Sequence, residues 1–180
     1  MQPLHGTTIL AVRRSGITAI ASDGQITFGE TIMKREAVKV RELEAKILVG
    51  FAGSVGDAMT LLEKFEAELS RAGGNMTRAA VETVKLWRTD RMLRQLEAML
   101  ILADRDTLLL LSGNGEVIAP DEPALAVGSG GPYALAAAKA LLAHSTLSAT
   151  EIAQEGIRIA GEIDLYTSGR ATVYTIGEPQ

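Results

Sequence analysis

The sequence predicts an α+β protein in which two antiparallel sheets stack face to face, each covered on its outer side by a pair of helices. Three observations predict it. Strand candidates arrive as hairpins, helix candidates arrive in pairs, and the strict β-α-β-α alternation that marks a parallel doubly wound sheet is absent. The chain has 180 residues and no linker or low-complexity run, so a single domain is expected.

The first strands are Thr8–Arg13 and Ile17–Ser22, rich in Ile, Val and Thr and joined by the turn pair Ser15-Gly16. Asp23-Gly24 is the next turn, and Gln25–Phe28 with Thr31–Met33 reads as a weaker hairpin around Gly29. Lys46–Ala52 is a buried strand. Ser54 with Asp57 resembles a capping box, and the helix behind it repeats Ala58, Leu61, Leu62, Phe65 and Leu69 at helical spacing until Gly73-Gly74. Thr77 is the expected cap of a second helix, whose apolar side carries Val81, Val84, Trp87 and Met92. Strands follow at Met99–Ala103 and Leu108–Ser112, joined through Asp104–Asp106. Gly113-Asn114-Gly115 turns the chain into Glu116–Ile118, and Leu125–Gly128 is a further strand. An Ala-rich helix over Tyr133–Leu142 and a helix from the Ser148/Glu151 capping box to about Glu162 form the second pair. Ala171–Ile176 is the last strand.

Composition narrows the chemistry. Hydrophobic residues at 47% and charged residues at 22% are ordinary for a soluble globular protein, and aromatics at 4% leave the core to Leu, Val, Ile and Ala. A net charge of −4 argues against a nucleic-acid partner. With no cysteine, disulfides, thiolate metal sites and a cysteine nucleophile are excluded. His5 and His144 are too few for a histidine-rich metal site and are read as non-catalytic. No apolar run suits a membrane helix and the N-terminus has no secretory pattern, so a cytoplasmic protein with no membrane partner is expected.

The residues with chemical potential each carry two readings. Thr7 opens a strand, where threonine is ordinarily structural. If the chain is cut after Gly6, however, Thr7 gains an α-amine with a pKa of roughly 7.7–8.0 that serves as base for its own hydroxyl. Asp23 is a turn residue or the partner that orients a lysine. Lys39 is solvated, or lowers the proton affinity of the Thr7 hydroxyl and repels a proton from the amine. Gly50, inside an apolar strand, serves close packing or offers an N–H to an oxyanion. Gly128-Ser129-Gly130-Gly131-Pro132 is a tight strand-to-helix turn or an anion site; it lacks the lysine of a nucleotide-binding P-loop, and Ser129 is placed to support a nucleophile. The carbonyls that end the helix at Gly161–Thr167 are capped by water or hold a cation. Arg88–Arg94 is a solvated or subunit-contact face.

Seven segments occur in a telling order: Thr7-Thr8-Ile9, Ser22-Asp23-Gly24-Gln25, Lys39-Val40-Arg41, Gly50-Phe51-Ala52-Gly53, Trp87 to Leu93, Gly113-Asn114-Gly115 and Gly128 to Tyr133. Together they closely resemble the HslV (ClpQ) family, bacterial relatives of proteasome β-subunits, from Thr7 to about Thr167. The resemblance implies the four-layer αββα sandwich of N-terminal nucleophile hydrolases. It implies a propeptide, residues 1–6, removed by self-cleavage, and one hydrolase domain over 7–180. Thr7 matches the family's nucleophile, Asp23, Lys39 and Ser129 its supporting polar residues, and Gly50 its oxyanion donor. Gly161, Asp164 and Thr167 match positions whose backbone carbonyls bind a sodium ion. The implied assembly is two stacked hexameric rings that enclose the active sites. The implied partner is the HslU (ClpY) AAA+ ATPase, which delivers unfolded proteins; this chain itself binds no nucleotide. A threonine-type endopeptidase is therefore expected. The alternative is a non-catalytic ring scaffold of the same fold, against which the joint presence of Thr7, Asp23 and Lys39 argues.

Overall fold

Two antiparallel sheets face each other in the computed structural model, which describes residues 4–5, 7–44, 46–89, 98–112 and 115–178. The chain runs β1 (Leu4–His5), β2 (Thr8–Arg14), β3 (Ile17–Asp23), β4 (Ile26–Phe28), β5 (Thr31–Lys34), β6 (Val40–Leu43) and β7 (Ile47–Gly53). Helices α1 (Val55–Arg71) and α2 (Met76–Thr89) follow. After β8 (Ala98–Ala103), β9 (Leu108–Ser112), β10 (Val117–Ile118) and β11 (Ala124–Gly128) come α3 (Gly131–His144), α4 (Ala149–Ile163) and β12 (Ala171–Gly177). One sheet has the order β10-β9-β8-β7-β6, the other β11-β2-β3-β12, and a small third sheet is β1-β4-β5.

The layers follow from strand alternation. Along β7, Ile47, Val49 and Phe51 pack with α1 and α2, whereas Leu48 and Ala52 point into the space between the sheets. In β2, Ile9 and Ala11 face that same space while Leu10 and Val12 pack under α3 and α4. Both faces of each sheet are covered, so these strands read as unbroken apolar runs rather than alternating ones. The resulting order is helix pair, sheet, sheet, helix pair, the expected αββα sandwich.

Several local expectations need correction. Ser54 precedes α1 but makes no side-chain cap, so the Ser54/Asp57 capping box does not form. Helix α2 is capped by Asn75, whose Oδ1 accepts the Arg78 N–H at 2.9 Å; Thr77 lies inside the helix. On its expected apolar side Val84 and Trp87 are buried, but Val81 is 40% exposed. Strand β6 was not expected, and α3 begins two residues before Tyr133, with Pro132 in its first turn. The Ser148/Glu151 capping box does form. Met92, most of Arg88–Arg94 and the pair Gly113-Asn114 lie outside the described residues.

Candidate active site

Thr7 sits half-buried at the lip of a cleft of about 550 Å³, immediately before β2. The opposite wall is the end of β7 and the start of α1, with Phe51, Gly53, Val55 and Met59. Gly128 and Ser129 close the third side. The Ser129 N–H donates to the Thr7 carbonyl at 3.1 Å, which ties the end of β11 to the start of β2. Gly128 permits this contact. Its φ is +96°, and a Cβ there would stand 1.7 Å from the Thr7 carbonyl oxygen.

Behind Thr7 lies a buried polar hub. Asp23, at the end of β3, is fully buried and accepts four hydrogen bonds. Its Oδ1 takes the Thr8 N–H at 2.8 Å and Lys39 Nζ at 2.9 Å. Its Oδ2 takes the N–H groups of Gln25 at 2.9 Å and Ser168 at 3.2 Å. Two acceptor contacts per oxygen fill the carboxylate, which satisfies a charge that would otherwise be costly to bury. Lys39 also donates to the Gln25 carbonyl. Residues 35–37 return the chain to this hub, because the Ala37 N–H donates to the Gly24 carbonyl at 2.8 Å. Burial pushes the Lys39 ammonium below its ordinary proton affinity, and the charge and hydrogen bond of Asp23 partly offset this. The lysine is thus held charged by one carboxylate and surrenders its proton more readily than a solvated lysine would.

A second network runs beneath the Gly128–Gly131 turn. Thr8 Oγ1 lies 2.7 Å from Thr167 Oγ1 and accepts the Gly130 N–H at 2.9 Å. Ser129 Oγ donates to Asp164 Oδ2 at 2.7 Å, and Thr167 Oγ1 donates to the same oxygen. Of the expected site residues, Thr7, Lys39 and Ser129 line one cleft with Asp23 directly behind them.

Gly50 does not join them. It is buried in mid-strand, paired with Val40 on one side and Ile101 on the other, and a Cβ would stand 2.6 Å from the Ile9 Cγ2 methyl. Successive N–H groups of a strand point to opposite edges. The Phe51 N–H reaches the Lys39 carbonyl at 3.0 Å, so the Gly50 N–H points the other way, towards β8. This corrects the reading of Gly50 as oxyanion donor: the site has it as a close-packing glycine between sheets. Gly53 shares the edge of Phe51, and β6 has already ended there, leaving that edge open to the cleft. Sequence reasoning passed over Gly53 because both glycines stand in the same segment and only the alternation counted from Phe51 separates them. It also passed over the Asp164 carboxylate, since only the backbone of that residue was expected to matter.

Gly161, Asp164 and Thr167, the residues expected to hold a cation, stand at the end of α4. Asp164 follows the helix, its N–H donating to the Ala160 carbonyl at 2.8 Å, and its own carbonyl accepts the Thr167 N–H at 3.2 Å. A Cβ on Gly161 would stand 2.5 Å from the Gly169 Cα, so the segment after Thr167 folds back over the helix end. Carbonyl oxygens at the negative end of a helix, with a second lone pair to spare and a carboxylate nearby, suit a hard monovalent cation. Among the described residues no group of three or more His, Cys, Asp and Glu side chains is placed to hold a metal ion.

Residues 4–176 match the family model for proteasome subunits. The chain is 59% identical over 174 residues to the ATP-dependent protease subunit HslV of Desulfovibrio desulfuricans, and 56% identical over 173 residues to that of Petrotoga mobilis. Each alignment covers 96% of this chain and 98% of the relative. The chain belongs to the HslV family. Its backbone agrees: the crystal structure of the eukaryotic HslV from Trypanosoma brucei superposes with a TM-score of 0.90 at 40% identity, covering 95% of this chain and 99% of that one. The Thiobacillus denitrificans protein BPH in complex with epoxomicin shares the fold at a TM-score of 0.75 and 20% identity. The HslV match spans all three parts of the cleft, the start of β2, the β7–α1 junction and the Gly128 turn. Among the described residues no helix is long and apolar enough to cross a membrane.

Proposed function

We propose that this chain is the threonine peptidase subunit of an ATP-dependent protease, with Thr7 as nucleophile after the Gly6–Thr7 bond is cut. One observation carries the reading. Thr7 stands at a cleft with a buried Lys39–Asp23 pair directly behind it, a costly arrangement for a mere scaffold. The Thr7 hydroxyl attacks a substrate carbonyl and the Thr7 α-amine takes its proton. The amine then passes that proton to the departing peptide nitrogen, leaving an ester on Thr7 that water hydrolyses. Lys39, with its lowered proton affinity, assists the hydroxyl, and Asp23 holds it in place. The open-edge N–H of Gly53 receives the oxyanion, the role first assigned to Gly50. Ser129, anchored by Asp164, steadies the Thr7 main chain.

Residues 1–6 are the self-removed propeptide, since only a free amine lets one residue both attack and accept the proton. A sodium ion on the carbonyls of Gly161, Asp164 and Thr167 would fix the turn that brings Thr167 to Thr8 and the Ser168 N–H to Asp23. The relatives are named as subunits of an ATP-dependent protease, and this sequence has no P-loop motif. The ATPase is therefore a separate HslU-type partner that feeds unfolded cytoplasmic proteins into a chamber of two hexameric rings. The test joins N-terminal mass analysis with peptide hydrolysis. An active chain begins at Thr7, and Thr7→Ala is inert while it still assembles. Full activity with Met1–Gly6 retained on every subunit would overturn the proposal.

A further inference from the structure

The cleft beside Thr7 is one-sided in charge. Its described lining includes Lys34, Lys39 and Arg41 and no aspartate or glutamate. Lys39 already has Asp23 at 2.9 Å. Lys34 and Arg41 are exposed, and among the described residues neither enters an ion pair. The two cations come from different strands. Lys34 ends β5 opposite Ile26, which also lines the cleft. Arg41 is paired with Val49, whose side chain packs towards α1. Phe51 lies on that same face of β7, so Arg41 and Phe51 share one wall. Val55, Met59 and Met99 add apolar surface beside Phe51.

We infer that this cleft selects substrates by charge, taking a side chain with an apolar stem and a carboxylate tip over one with an ammonium tip. The inference rests on the peptidase reading above. A glutamate lays its methylenes against Phe51 and Met59 and turns its carboxylate to Lys34 and Arg41. A lysine of similar reach brings a third unpaired cation to a wall whose described residues include no acid to receive it, a repulsion that discriminates as effectively as the attraction.

The test uses the purified protein, confirmed by mass to begin at Thr7, and three fluorogenic peptides that differ only in the residue whose carbonyl is attacked: Leu, Glu or Lys. Glutamate is expected to exceed lysine about tenfold in kcat/KM, the size of a partly screened charge interaction at a protein surface. The ratio shrinks as salt rises, because both cations are exposed. The double variant Lys34→Glu/Arg41→Glu inverts it. The milder Lys34→Gln/Arg41→Gln brings it close to unity and guards against a misfolded charge-reversal variant. Hydrolysis of the leucine peptide with lysine equal to or better than glutamate would overturn the charge inference and leave the peptidase standing. Failure on all three peptides would overturn the peptidase reading and this inference with it.

Discussion

Replacing Asp23 with asparagine tests the hub on which the site is built. One carboxylate oxygen becomes an NH2, which cannot accept a hydrogen bond. If the amide oxygen faces Thr8 and Lys39, the NH2 group meets the N–H groups of Gln25 and Ser168, two donors that lose their acceptor. Each buried donor left unsatisfied costs about 1–3 kcal/mol. Lys39, only 3% exposed, also loses its counter-charge, and breaking such a buried pair costs about 3–5 kcal/mol. These losses overlap, so a net destabilisation of about 4 kcal/mol is expected, or a fall in Tm of about 8–16 °C for a chain of this size. The loss depends on pH. Burial lowers the Lys39 proton affinity and Asp23 raises it, so the variant lysine sinks further. A lysine whose folded pKa lies below its unfolded value penalises the fold while both states are protonated. The penalty fades as pH rises through the folded value towards the unfolded one. Urea unfolding followed by the fluorescence of the buried Trp87, at about pH 7 and about pH 10, reads both effects. A deficit under about 1 kcal/mol at both values, or one that grows with pH, would refute the reasoning.

Gly50→Ala drives a Cβ into the Ile9 methyl and is expected to cost about 1–3 kcal/mol by overpacking. Hydrolysis per folded molecule is retained; because alanine keeps the backbone N–H, a specific loss would instead show that the contact with Ile9 positions Thr7. Asp164→Ala removes the acceptor of Ser129 Oγ and Thr167 Oγ1 and is expected to lower kcat/KM about tenfold, the worth of one exposed charge-assisted hydrogen bond. Asp164→Asn keeps an acceptor and restores most of the rate, so equal activity of the two variants would remove Asp164 from the site. Replacing sodium with a much larger cation is expected to lower both Tm and peptide hydrolysis by loosening the turn after α4. Identical melting curves and rates in the two salts would remove the cation.

What could be read along the chain depended on how local its cause was. Helix α4 was legible because Ser148 and Glu151 satisfy each other's backbone donors within one turn. Strand β6 was missed because only Val40 of its four side chains is buried, so its partner β7 supplies the reason for it to be a strand. The start of α2 was misplaced by two residues because asparagine and threonine both cap helices, and only the geometry shows which side chain reaches an N–H. Thr7, Asp23, Lys39 and Ser129 were singled out by type and order, and the fold brings them together at one cleft. The glycine facing the cleft was not, because Gly50 and Gly53 differ only in which strand edge each presents.

The sequence alone determined the αββα layering, since apolar runs and paired helices have only a few ways to bury both faces of two sheets. It left open which polar residues escape solvent: Asp23 could be a turn residue and Lys39 a solvated one, and only the fold buries them. Tertiary structure alone decided who meets whom. Asp23 gathers Thr8, Gln25, Lys39 and Ser168 from four segments, and the cleft gathers Lys34 and Arg41 from two strands. Hydrogen bonds and Coulomb forces act through a few ångströms of space, and separation along the chain carries no information about that distance until the sheets have closed.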